Sequence, residues 1–267
     1  MVLGSKNFTE QIILAELLKQ YLSAHTGLEV ESRVNLGGTL ICHQAVKAGE
    51  IDLYVEYTGT ALTAVLGEAP GGSPAEVYQR VKTAYADRFG LEVMEPLGFE
   101  NTFAIIVRGD DARRLKLRTI SDAAQKIPAW RAGFGYEFME RQDGFPGLSR
   151  VYNLRLTGPP RTMELGLLYR ALEEKQVDIV AGNSTDGLVS ALDLAILEDD
   201  RHYFPPYDAV PVVGKRVLEE HPELRAALHG LSGKISEAEM RQLNYAVDGE
   251  HREVRRVVSD FLGAKRL

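Results

Sequence analysis

Residues able to hold a small ligand fall just after segments that read as strands. Asn7 and Thr9 follow VLGS, Gly38 and Thr39 sit in LGGT, and Tyr57 and Thr60 close GEIDLYVEYTGT. Asn101 and Phe103 lie in ENTF, Glu137 and Arg141 in GYEFMERQDG, Asn183 and Thr185 in AGNSTDG, and Tyr207 in FPPY. The set combines ring faces, hydroxyls, amides and one guanidinium. Aromatic faces attract a quaternary ammonium through their quadrupoles, for about 0.5–2 kcal/mol per ring. A guanidinium fork or a helix N-terminus suits a carboxylate. Together these residues fit a small molecule with an apolar cationic end and an anionic end. One tyrosine among 11 carries little weight, and Arg141 alone reads equally as a solvated helix residue.

Signatures of catalysis are missing. The six histidines, at 25, 43, 202, 221, 229 and 251, are scattered, and no pair has helical metal-ligand spacing. GFGYEF lacks the third glycine of a dinucleotide loop. In GLSGKIS the first glycine is too near the lysine, and Ile235 replaces the hydroxyl a phosphate loop needs. Ser184 in AGNSTDG lacks the glycine pattern of a nucleophile elbow. Asp186 and Glu137 could form a carboxylate pair, but no spacing demands it. The expectation is a binding protein rather than an enzyme, with no metal and no cofactor.

The chain has 267 residues, 45% apolar content and a net charge of -7. That length suits one large domain or two small ones. The acidic balance argues against nucleic acid and anionic membrane surfaces. The single cysteine, Cys42, excludes an internal disulfide and reads as a buried apolar residue in LICHQAV. No run approaches the roughly 20 apolar residues of a bilayer span. With the strand-like VLGS starting at residue 2, no signal peptide is expected within this sequence. Either the protein is cytoplasmic or an export signal or neighbouring segment has been removed, and Met1 directly before the first strand favours removal.

Strands and helices alternate, which implies a mostly parallel sheet covered by helices. Val2–Gly4, Leu28–Asn35, 51–55, Leu91–Met94, a long apolar strand in ENTFAIIVRGD, Trp130–Phe134 and Val177–Ala181 read as strands. Residues 9–24 form an amphipathic helix that Asn7 or Thr9 can cap. Further helices are expected at 39–48, 74–88, 119–126 and 162–174, and GYEFMERQDGFPGL is a loop leading into a helix. The last third returns to helices at 214–220, 222–230, 236–246 and 250–262. GEIDLYVEYTGT and KQVDIVAGNSTDG overlay on Asp52 and Asp178, placing Tyr57 on Asn183 and Thr60 on Asp186. Chance similarity of two α/β loops is one explanation. The other is two related lobes, each offering the carboxyl end of a strand to a shared site.

GSKNFTEQ, LGGT, GEIDLYVEYTGT, GYEFMERQDG, STDG, LEDDRHYFPPYDAVPVV and NYAVDGEHREV together resemble the substrate-binding proteins of ABC importers for glycine betaine, choline and carnitine. The resemblance covers nearly the whole chain. It implies an α/β, type II periplasmic-binding-protein-like fold: two lobes joined by two crossing segments, near Ile105–Arg108 and Tyr203–Tyr207, with ligand in the cleft. Lobe one would be residues 1–106 and 207–267, and lobe two 107–206. Ligand would close the lobes about a hinge. The resemblance places Tyr57, Phe103, Asn183 and Tyr207 at aromatic-cage positions. It places Asn7, Thr60 and Arg141 near the carboxylate, with Glu137 and Asn101 beside them. Members with a full cage carry tyrosine where this chain has Phe103 and Asn183. The implied partners are a small zwitterion and the membrane permease and ATPase of an ABC importer, and the protein would be a monomer, periplasmic or extracellular and membrane-anchored. Alternatives are the same scaffold retuned to an amino acid or an ergothioneine-like zwitterion, a ligand-sensing domain, and a binding domain fused to a permease.

Overall fold

The computed structural model describes residues 1–126 and 130–267. In chain order it runs β1 (Val2–Gly4), α1 (Thr9–Thr26), β2 (Glu31–Arg33), α2 (Thr39–Ala48), β3 (Leu53–Tyr57), the turn α3 (Thr58–Thr60), α4 (Pro74–Phe89), β4 (Leu91–Val93) and β5 (Phe103–Arg108). It continues with α5 (Gly109–Leu115), α6 (Ile120–Lys126), β6 (Ala132–Phe134), α7 (Tyr136–Glu140), α8 (Phe145–Tyr152), β7 (Arg161–Thr162), α9 (Leu165–Glu173), β8 (Ile179–Asn183), α10 (Leu188–Ala191) and β9 (Leu194–Leu197). It ends with β10 (Ala209–Gly214), α11 (Lys215–Glu220), α12 (Glu223–Gly230), α13 (Glu237–Asp248) and α14 (Val254–Lys265).

Contacts divide the chain into two units. Unit one is Met1–Glu68, Gly72–Asn101 and Pro206–Leu267, and unit two is Ala69–Gly71 and Thr102–Pro205. The first crossing therefore falls before β5 rather than within it. The physical reason is that β5 pairs along its length with β8 and β9, so it belongs to the second sheet.

Both sheets are mixed, which corrects the expectation of mostly parallel strands. Unit one has the order β2-β1-β3-β10-β4, and unit two β7-β6-β8-β5-β9. In the first, β1 runs parallel to β2 and β3, while β10 is antiparallel to β3 and β4. In the second, β6 runs parallel to β7 and β8, while β5 is antiparallel to β8 and β9. Each antiparallel strand is the first one made after the chain passes from one unit to the other.

The internal echo has a structural counterpart. β3 and β8 hold the middle of their sheets, and Tyr57 and Asn183 are their last residues. Asp52 donates its N–H to the Val2 carbonyl at 2.7 Å, and its carboxylate accepts the Val2 N–H at 2.7 Å. Asp178 makes the same exchange with Arg131, at 2.7 and 3.2 Å. Each aspartate thus pins the entry of the central strand to its parallel neighbour.

Burial explains why these strands read as apolar runs: all five residues of β3 are buried, as are Ile179–Gly182 of β8. Around β3 the core includes Cys42, Val46, Leu62, Val77, Val81 and Tyr85. One face of the second sheet packs Ile105, Trp130, Phe134, Phe138 and Leu148 together, and the other packs Ile106, Leu168, Leu172 and Val180. α1 begins after Phe8, and neither Asn7 nor Thr9 caps it. The Asn7 N–H is taken by the Gly37 carbonyl, and the Thr9 hydroxyl donates to Asp248 at 2.7 Å. No helix among the described residues is long and apolar enough to cross a membrane.

Candidate ligand-binding site

In unit one the predicted residues gather at the carboxyl end of β3. Glu56 and Tyr57 are neighbours there, and Tyr57 is only 4% exposed. Its hydroxyl donates to Glu10 Oε1 at 2.6 Å and accepts from Gln11 Nε2 at 3.0 Å. Burial, then the charge of Glu10 and the hydrogen bond to it, push the Tyr57 phenol well above its ordinary pKa, so it stays a donor. Asn101 Nδ2 donates to the same Glu10 oxygen at 2.7 Å, and Asn244 Nδ2 donates to the other at 3.0 Å. Glu10 thereby ties together α1, β3, the segment at Asn101 and α13.

A buried ion pair lies beside this network. Lys6 pairs with Glu56 in a short contact, and both are nearly inaccessible. Lys6 Nζ also donates to Thr39 Oγ1 at 2.9 Å and stands 5.1 Å from the Tyr57 ring centre. Glu56 accepts from the Tyr57 N–H at 2.8 Å and from the Tyr54 hydroxyl at 3.3 Å. Burying a charge is costly without such partners, so the pair and its hydrogen bonds form one unit. The Phe8 ring lies 6.4 Å from that of Tyr57, inclined by 24°.

Thr60 and Tyr207 are buried close by, and Gly59 explains how they fit. A Cβ at Gly59 would sit 2.6 Å from the Pro206 carbonyl and 2.8 Å from the Tyr207 ring. The glycine of EYTGT is thus a close-approach residue. Asn7 is exposed.

In unit two, Phe103 opens β5 and stands opposite Asn183 in the antiparallel register. Its ring meets Phe138 edge-on at 4.8 Å and Phe204 at 5.9 Å. The Arg141 guanidinium lies over the Phe103 ring, 4.9 Å from its centre. Arg141 is held in a two-pronged pair with the fully buried Asp143, Nε to Oδ1 at 2.8 Å, while Glu137 lies 3.9 Å from Nη1 with its side chain 51% exposed. The loop expected at GYEFMERQDGFPGL contains the helix α7, and Arg141 is its first residue beyond the end. The Asn183 N–H donates to Asp186 Oδ2 at 2.9 Å, and the Tyr169 hydroxyl donates to the same oxygen. Thr185 is buried in this turn.

The sequence set therefore separates into Thr39, Tyr57, Thr60, Asn101 and Tyr207 in one cluster and Phe103, Glu137, Arg141 and Asn183 in another, with Thr185 in the turn after β8. Sequence reading missed Lys6, Glu10, Gln11, Glu56, Asn244, Asp143 and Tyr169. Lys6, Glu10 and Gln11 sit inside GSKNFTEQ, but charged residues at a helix start read as solvated. Asn244 reaches Glu10 across 234 positions, which no local pattern signals. Among the described residues, no group of three or more His, Cys, Asp or Glu side chains could hold a metal ion.

Comparison with known proteins identifies the family of the chain. The carnitine transport binding protein OpuCC of Listeria monocytogenes is 37% identical over 262 residues, covering 97% of this chain and 85% of that one. The ergothioneine transport permease/ergothioneine binding protein EgtU of Helicobacter pylori is 32% identical over 263 residues, 98% of this chain but 47% of that one, so the chain spans about half its length. A crystal structure of a glycine betaine/carnitine/choline ABC transporter aligns with a TM-score of 0.85 at 33% identity, over 100% of this chain and 98% of that one. The two mixed α/β sheets are those of the periplasmic binding proteins. A family model for the substrate binding domain of ABC-type glycine betaine transport systems matches residues 1–264. This chain belongs to that family of ABC-transporter substrate-binding domains.

Proposed function

We propose that the protein is the extracytoplasmic binding component of an ABC importer and takes a small quaternary amine of the betaine, choline or carnitine type. The proposed contacts are rings from Tyr57, Tyr207 and Phe103 and a guanidinium from Arg141. Asn7, Thr39, Thr60, Asn101, Glu137, Asn183 and Thr185 complete the set. Its working partners are the membrane permease and ATPase subunits, and it acts as a monomer. The observation that carries this reading is family membership over residues 1–264, joined to the clustering of Phe103, Arg141 and Asn183 at one strand end.

Asn183 supports a second reading. An amide stands at the end of β8, its Nδ2 3.5 Å from Asp186 Oδ2, where the family resemblance implies a ring. A zwitterion that brings hydrogen-bonding groups of its own, such as an amino acid with its ammonium or an ergothioneine-like thione with its ring N–H, would use it.

A calorimetric panel separates the two. It comprises glycine betaine, proline betaine, choline, carnitine, ergothioneine and common amino acids. Binding stabilises the folded state by mass action, so weak ligands register at millimolar concentration in a parallel thermal-shift series. Saturable binding of glycine betaine, proline betaine, choline or carnitine is expected to be tightest. Tight binding of ergothioneine or an amino acid, with none of those four registering, would overturn the first reading in favour of the second.

A further inference from the structure

Glu10 is a carboxylate that no ligand-contact expectation included. It lies at 3% exposure behind the Tyr57 ring, on the side of the hydroxyl. The 2.6 Å bond from the phenol is short and charge-assisted, a class roughly twice as strong as neutral hydrogen bonds. A phenol that donates to a carboxylate acquires partial phenolate character. Its oxygen then pushes electron density into the ring, and the negative potential over the ring face deepens. Cation–π attraction is an interaction with that potential, so the bond strengthens the ring's pull on a cation. Gln11 donates to the same phenol oxygen at 3.0 Å, which fixes the rotor so that its proton points to Glu10. Asn101 and Asn244 hold the carboxylate in place at 2.7 and 3.0 Å.

We propose that Glu10 is a specificity-determining residue that acts through Tyr57, selecting ligands that carry a positive charge over neutral shapes of the same size. The inference rests on the quaternary-amine reading above. It makes Glu10 a positioning and polarising residue rather than a contact. Lys6 stands over the same ring, but its charge is paired with Glu56, whose carboxylate also takes the Tyr57 N–H.

The test uses glycine betaine and 3,3-dimethylbutanoate, which has the same shape and carboxylate but carbon in place of the charged nitrogen. Affinities for both are measured by calorimetry on the whole chain, as wild type, Glu10→Gln, Tyr57→Phe and the double variant. Glutamine keeps an acceptor for the phenol and removes the charge, and a half-turn of the Asn244 amide restores that contact. The preference for betaine over its isostere is expected to fall by about fivefold or more in Glu10→Gln, within the range one ring supplies. Betaine should bind more weakly while the anionic isostere binds equally or more tightly. Tyr57→Phe should lower the same ratio, and the double variant should lower it no further, because both changes break one bond. Parallel losses for both ligands, or a ratio within about twofold of wild type, overturn the proposal. If Glu10→Gln fails to fold, Tyr57→Phe decides alone, since it leaves Glu10 intact. Wild-type protein that binds no betaine sinks the functional reading and the inference with it, whereas betaine binding with an unchanged ratio sinks only the inference.

Discussion

β3 and β8 stand at the centre of two sheets with the same strand pattern, and each is pinned at its entry by an aspartate. Their exits differ. β3 ends in a tyrosine enclosed by a buried polar network, in which Glu10, Glu56 and Lys6 are nearly inaccessible. β8 ends in a half-buried asparagine, and the neighbouring ring of Phe103 is covered by a guanidinium anchored to Asp143. The first end is a rigid wall set by burial. The second is a partly open wall set by one anchored side chain. On the proposed reading, a shared scaffold specifies where ligand contacts are offered, and the residues at the strand ends specify what they favour.

Breaking the buried pair of unit one is the most disruptive test of this contrast. Glu56→Ala leaves the Lys6 ammonium buried and uncompensated, which typically costs about 3–5 kcal/mol. The loss should appear in urea unfolding followed by far-UV circular dichroism. Trp130 is the only tryptophan and is buried in unit two, so its fluorescence reports that unit. An early transition in circular dichroism that Trp130 does not follow is expected, and an unshifted midpoint in both signals would refute the claim of a rigid, pair-dependent wall.

Asp143→Ala should cost less, about 2–4 kcal/mol, because the Arg141 side chain is 10% exposed and Glu137 stands near it. Here the Trp130 signal should shift first. The variant should also weaken carboxylate-bearing glycine betaine more than choline, which lacks the carboxylate, and equal weakening would argue against Arg141 as the anion's partner.

Asn183→Tyr sharpens the comparison from the other side by giving β8 the ring that β3 has. Adding one ring should tighten betaine binding by about two- to thirtyfold, read by calorimetry. No gain would mean that the wall beside Phe103 is shaped for a different ligand.

The smallest effect is in pH dependence, where Glu100 and Asp208 of unit one and Asp178 of unit two shift in opposite directions. In unit one, burial first and then the charge of Asp208 raise the Glu100 pKa, and burial raises that of Asp208. A raised acid binds its proton more tightly when folded, so its contribution is complete below the ordinary carboxylate range and is lost as pH climbs through the raised value. In unit two, hydrogen bonds from Arg131 outweigh burial and, with Arg108, hold Asp178 well below its ordinary 3.8. Its contribution is present above that value and is lost as pH falls below it. Glu100→Gln should flatten the decline of stability from the carboxylate range toward neutrality, and Asp178→Asn the decline under acid. Identical pH profiles for both variants would show that the two acids titrate alike.

Much of this architecture is legible without coordinates. The helices at 39–48 and 74–88 are found almost to the residue, because helical spacing ends in glycine at 49 and 90, and Ser73-Pro74 starts the second with a capping box. The central strands are expected two residues early, at 51–55 and 177–181. Ile51 and Val177 are as buried as strand residues, and periodicity cannot separate a buried approach from the strand itself. β10 goes unread for another reason. Pro211 sits inside AVPVV, and a proline normally demotes a run to an edge, yet β10 lies between β3 and β4. The candidate site residues read as strand-end chemistry, but the buried charges beside them do not. Lys6 and Glu56 look like surface charges until β1 and β3 are placed near each other in one sheet.

From the order of amino acids alone follow the two α/β units, the related ends of β3 and β8 and the family, since local periodicity, turn residues and short motifs are properties of neighbours along the chain. Which carboxylate backs Tyr57, which amide holds that carboxylate and which way β10 runs follow from contacts across as many as 234 positions. Those contacts exist because burial forces polar groups to find partners wherever the fold brings them, and no local pattern encodes that distance.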